Sequence, residues 1–83
     1  MLSTLLAVAK LTYHDAPPYR PLILHRIYNE MAAGDDREMV NMAIAVADLN
    51  PFEKVKGIKI LRKVYGLGLS DAKTLWEVGK ELA

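Results

Sequence analysis

The sequence predicts an all-α domain, a compact bundle of about five short helices ending in a helix–turn–helix hairpin. Three observations lead there. Apolar residues recur at three- and four-residue spacing along most of the 83 residues, and no stretch alternates long enough to read as a strand. Proline and glycine at residues 17–21, 34, 51 and 66–68 divide the chain into pieces of helix length. The hydrophobic fraction of 52% is enough for a real core, although a domain of this size buries only about 60% of its unfolded surface.

The first helix is expected over residues 2–13, where Leu2, Leu5, Leu6 and Ala9 share one face and Ser3 or Thr4 can start it. The apolar run Met1–Ala9 reads as a core segment. It lacks the basic region that precedes a signal peptide's apolar stretch, and it is too short to span a bilayer. Pro17 and Pro18 end the helix, because proline lacks the amide proton and restricts the residue before it. A second helix is expected over 20–33, with Pro21 in its first turn, an apolar stripe of Leu24, Ile27, Tyr28 and Met31, and Gly34 as its stop.

The third helix, 36–49, is the most apolar, and such a helix belongs at the centre of a bundle. Asp35 or Asp36 is its expected cap, with Glu38 favouring the dipole. Asn50 and Pro51 predict the start of a fourth helix over 51–65. The turn Gly66-Leu67-Gly68-Leu69 leads to a fifth helix over 70–82, capped by Ser70 or Asp71. The whole chain, 1–83, reads as one domain.

Chemistry-bearing patterns concentrate in the last third. Residues 1–51 carry four Lys/Arg against six Asp/Glu, and residues 52–83 carry seven against four, so the net charge of +1 hides a basic C-terminal part. At 100° per residue, Ile58, Ile60, Leu61, Val64 and Tyr65 form the core arc of the fourth helix, with Gly57 inside it. Lys56, Lys59, Arg62 and Lys63 lie opposite, and Val55 stands on that basic side, out of pattern. An apolar residue inside a basic stripe is either a scattered exposed valine or the centre of a protein contact oriented by charge. On the fifth helix, Ala72, Leu75, Val78 and Leu82 face the core, with Gly79 near them. Lys73 and Glu77 are a turn apart, and Trp76 sits at the border, either a half-buried packing anchor or an interface hot spot.

The segment from Lys54 to Glu77 resembles the helix–turn–helix of the C-terminal domain of the bacterial ribosomal stalk protein. The likeness is carried by the Lys54-Val55 start, Ile58-Lys59, Arg62, the Gly66-Leu67-Gly68-Leu69 turn, Ala72-Lys73, Leu75 and Glu77, laid along the motif without a gap. It implies a surface that recruits translational GTPases, with Lys54, Val55, Ile58, Lys59, Arg62 and Lys73 as partner contacts and Gly66, Gly68 and Leu69 shaping the turn. The likeness is confined to residues 54–77. The stalk domain has a small sheet where this chain shows only helical patterning. Tyr65 stands where threonine is usual, and Lys56 and Gly57 replace small or aliphatic residues. A weaker similarity joins the same segment to the all-helical N-terminal domain of elongation factor Ts, which binds elongation factor Tu. The chain therefore looks like a freestanding domain that reuses the hairpin, as in small phage-encoded proteins that act on a host machine.

Other constellations point elsewhere less well. Without cysteine there are no disulfides or thiolate metal sites. His14 and His25 lack metal-ligand spacing, neither Ser3 nor Ser70 lies in a nucleophile motif, and Gly66-Leu67-Gly68 is too short for a phosphate loop. No enzyme activity, cofactor or metal is expected, and a cytoplasmic setting fits the lack of cysteine. The rival to protein binding is nucleic-acid binding through the same Lys and Arg side chains. Self-association through the apolar face of the N-terminal helix is a third expectation.

Overall fold

A computed structural model describes residues 2–83; Met1, the first residue of the N-terminal apolar run, lies outside the described residues. Five helices follow one another and no strand occurs among the described residues: α1 (Leu2–Leu11), α2 (Arg20–Glu30), α3 (Asp35–Leu49), α4 (Lys54–Tyr65) and α5 (Leu69–Leu82). The all-α bundle expected from the periodicity is the observed fold.

The helix ends differ from expectation wherever the backbone found a better partner than the side chain assigned to it. α1 stops at Leu11, where Thr12 turns both its amide and its hydroxyl to the Val8 carbonyl, at 3.1 and 2.8 Å. α2 ends at Glu30 rather than running to residue 33. Met31 becomes extended and buried, and its carbonyl accepts a 3.0 Å hydrogen bond from Arg37. Gly34 thus precedes α3 instead of closing α2. Asp35 and Asp36 lie within the first turn of α3 and make no side-chain cap, so their contribution is charge at the positive end of the helix dipole.

Asn50 and Pro51 do not start α4. The Asn50 amide continues the α3 ladder to Val46, and the Glu53 amide returns to the Asn50 carbonyl at 3.2 Å. Asn50-Pro51-Phe52-Glu53 is a turn with Asn and Pro at the positions where turns favour them. α4 therefore begins three residues later than expected, at Lys54. α5 begins at Leu69, with Gly68 before it and neither Ser70 nor Asp71 capping; Asp71 instead pairs with Lys10 of α1 at 2.7 Å.

The centre of the bundle is α5, not α3. α5 packs against all four other helices, most extensively against α3. It buries Ala72, Thr74, Leu75, Trp76, Val78, Gly79 and Leu82. α3 buries Val40, Ala43, Val46 and Ala47 but leaves Met42, Ala45 and Leu49 exposed, so its apolar character exceeds its burial. The α3–α5 approach depends on Gly79, where an added Cβ would overlap the Ala43 backbone. Arg20, 4% exposed, ties three elements together: it donates to the Thr12 carbonyl after α1 at 2.7 Å and to Glu81 of α5 at 3.0 Å.

Candidate functional site

α4 rests on the bundle through Gly57, Ile58 and Leu61. Gly57 faces the Trp76 indole, whose Cδ1 would lie 2.6 Å from an added Cβ. Glycine costs a helix about 1 kcal/mol relative to alanine, and here that loss admits the largest side chain of the chain. Trp76 is 2% exposed, buried rather than half-buried, and its indole nitrogen has no hydrogen-bond partner among the described residues. Val64, placed in the core arc by periodicity, is exposed instead; α4's inner face closes at Leu61, with Tyr65 half-buried beyond it.

With that face turned inward, Val55, Lys56, Lys59, Arg62 and Lys63 are all exposed. Val55 is 70% exposed within the basic arc, as its out-of-pattern position requires. Among the described residues, Lys59, Arg62 and Lys63 form no ion pair, while Lys56 makes a long 3.5 Å contact with Glu53. Lys59, Arg62 and Lys63 meet Gly66 and Leu67 around a hollow of about 370 Å³. Arg62 and Lys63 also lie in the last turn, where cations complement the helix dipole, a structural role that accounts for part of their presence.

The six residues expected as partner contacts separate into groups. Val55, Lys59 and Arg62 come together on the open arc. Ile58 is 8% exposed and is a core residue. Lys54 is half-buried and bound to Glu77 at 2.6 Å, taking the partner that Lys73 was expected to have. Lys73 is exposed but turns toward the Tyr13 ring, 5.7 Å away. Lys63 joins the arc though the resemblance does not include it; its spacing of four residues from Lys59 is the signal that finds it.

The turn residues also divide. Gly66 closes α4 in the left-handed conformation, φ 64° and ψ 30°, and its amide reaches the Arg62 carbonyl at 2.8 Å. Gly68 has φ −67° and ψ 162°, open to any residue, with no atom near an added Cβ. Leu69 begins α5 and is exposed. One residue gave little sequence signal at all: Phe52, in the turn before α4, is 96% exposed.

These features define an all-α bundle with a basic face on its fourth helix and an exposed valine at the N-terminal end of that face. In comparison with known proteins, the chain matches no family model, no curated protein and no solved structure. Among the described residues, no three His, Asp or Glu side chains are grouped to hold a metal ion, and no helix is long and apolar enough to cross a membrane.

Proposed function

We propose that this chain is a non-enzymatic protein-binding module of the cytoplasm, needing no cofactor, whose partner docks on the exposed arc of α4. The observation that carries this reading is Val55, an exposed apolar side chain one turn before a run of three cations that have no ionic partner among the described residues. Such a surface offers apolar affinity at one end and charge for orientation and on-rate along the rest. The resemblance to the stalk hairpin supports a translational GTPase or another host machine as the partner, and a phage-encoded modulator as the setting. The contacts are Val55, Lys59, Arg62 and Lys63, with Ile58 holding the helix in place.

The convergence of Lys59, Arg62 and Lys63 on one hollow favours nucleic acid as the second reading. Burial of α5 weighs against it. A recognition helix must lie in a groove, and α5 exposes only Leu69, Ser70, Lys73 and Lys80. Nucleic-acid contact would then rest on phosphates alone.

The test is an affinity pull-down from bacterial lysate with wild type and Lys59→Glu/Arg62→Glu as baits, identifying both protein and nucleic acid. Both side chains are exposed, so the variant should keep its fold, with a stability change of about 0.5 kcal/mol or less at Lys59 and about 1 kcal/mol at Arg62, whose charge is reversed at the negative end of the helix dipole, checked by circular dichroism. The expected result is one protein retained by wild type and lost by the variant. Identical material on both baits overturns the reading. Nucleic acid alone, with affinity falling steeply with salt, transfers the face to the rival.

A further inference from the structure

α3 keeps an apolar stripe that the bundle does not cover. Its inner face, with Val40, Ala43, Val46 and Ala47, packs mainly on α5. At 100° per residue, Met42, Ala45 and Leu49 fall within an arc of about 60° away from that face. All three are exposed, Leu49 by 78%. Their spacing of three and four residues is that of a coiled-coil seam. Asp35 and Glu38, also exposed, continue the same arc back to the first turn of the helix. α1 offers less, because Leu5, Leu6 and Ala9 of its apolar face lie in the core.

The two ends of the stripe differ in charge. At its start, Asp35, Asp36 and Glu38 form no ion pair among the described residues. Arg37, set among them, turns instead to the Met31 carbonyl and the Tyr28 ring. Beyond the other end, the turn at residues 50–53 leads into the first turn of α4. There Lys54 is taken by Glu77 at 2.6 Å, but Lys56 is exposed and makes only a long 3.5 Å contact with Glu53. An apolar stripe that is acidic at one end and basic beyond the other complements itself when reversed. Two copies laid antiparallel bring the apolar residues of each α3 together and turn each acidic start toward the other copy's α4. Laid parallel, they would set Asp35 and Glu38 against the same carboxylates of the other copy, which like charges oppose. A twofold axis crossing α3 generates the antiparallel arrangement and matches both ends at once.

We propose that α3 pairs with α3 of a second copy of this chain in an antiparallel, twofold-symmetric dimer. The pairing rests on Met42, Ala45 and Leu49, none of which belongs to the partner site proposed on α4, so either reading can fail without the other.

The test is sedimentation equilibrium of the full chain from about 10 μM to about 1 mM, with backbone amide shifts followed over the same range. A monomer–dimer equilibrium with a dissociation constant of roughly 0.1 mM is expected, as for small, transient interfaces. The amides of Met42, Ala45 and Leu49 should shift with concentration. Leu49→Glu should weaken the dimer about a hundredfold, since the symmetry removes each apolar contact twice. Leu22→Glu, at a leucine of α2 that is 72% exposed, should leave it unchanged. Glu38→Lys and Lys56→Glu should each weaken it about fivefold, the equivalent of two exposed ion pairs, and the double variant should recover the loss. Circular dichroism checks that each variant is folded. Any of three results overturns the proposal: a monomer at every concentration, a dimer that Leu49→Glu leaves intact, or a double variant no tighter than the single ones. Loss of the dimer through Leu22→Glu would also overturn it, in favour of a surface on α2.

Discussion

Gly66 and Gly68, two residues apart in one turn, have opposite requirements. Gly66 sits at positive φ, where a side chain costs roughly 1–2 kcal/mol. Gly66→Ala should therefore destabilise by about 1 kcal/mol. Gly68→Ala should be neutral or stabilise by a few tenths, because its backbone already suits alanine and the unfolded chain loses freedom. Urea melts of the two variants check the contrast; equal losses would contradict it. Gly79 is constrained by space rather than by φ. Alanine there meets the Ala43 backbone, which cannot move aside as a side chain can. Gly79→Ala should cost about 3 kcal/mol, the upper end of overpacking effects, despite alanine's better helix propensity. Arg20 is the corresponding polar case. Arg20→Ala removes the partner of Glu81 and the donor to the Thr12 carbonyl; because Glu81 is 31% exposed and stays solvated, a loss of about 2 kcal/mol is expected. A fall in the urea midpoint at unchanged slope would identify it as a stability effect.

At the scale of elements, the hairpin that carries the stalk resemblance is not a free unit. α4 contributes its inner face to α5, but α5 has a second apolar side, held by α3 through Gly79 and Ala43, and contacts to α1 and α2 beyond that. Cut out alone, residues 51–83 would leave Val78 and Leu82 in water, and short isolated helices are marginal without tertiary packing. The peptide 51–83 should therefore show little helix by circular dichroism at 25 °C. A cooperatively melting peptide would mean that the first three helices are dispensable to the hairpin. α4 is held by its inner face and by α5, and among the described residues Lys59, Arg62 and Lys63 form no ion pair.

For the whole molecule, the radius of gyration of 11.6 Å matches about 11.8 Å expected for a compact domain of this length. One contiguous core joins all five helices. A domain this small commonly has about 5 kcal/mol of stability, so the loss predicted at Gly79 would consume most of it. With one core there is no second unit to melt separately. Unfolding followed at Trp76 and by far-ultraviolet circular dichroism should give one coincident transition; separated midpoints would contradict this.

The order and kind of the five helices were legible in the sequence, since apolar spacing and the proline and glycine breaks are local properties. So was the basic arc, because residues on a helix surface follow from spacing alone, and Val55 stood out there before any fold was known. Helix ends were less legible. Asn50 could cap a new helix or close an old one, and the choice fell to the Val46 carbonyl. Which helix lies at the centre was not legible at all. α3 is apolar almost all round, yet α5 took the middle, because burial depends on how many neighbours a helix meets. The pairing of Lys54 with Glu77, the burial of Ile58 and Trp76, and the exposure of Met42, Ala45 and Leu49 along α3 likewise depend on residues distant in sequence. Local pattern determined what each segment is; only packing among segments decided which side chains remain free to bind.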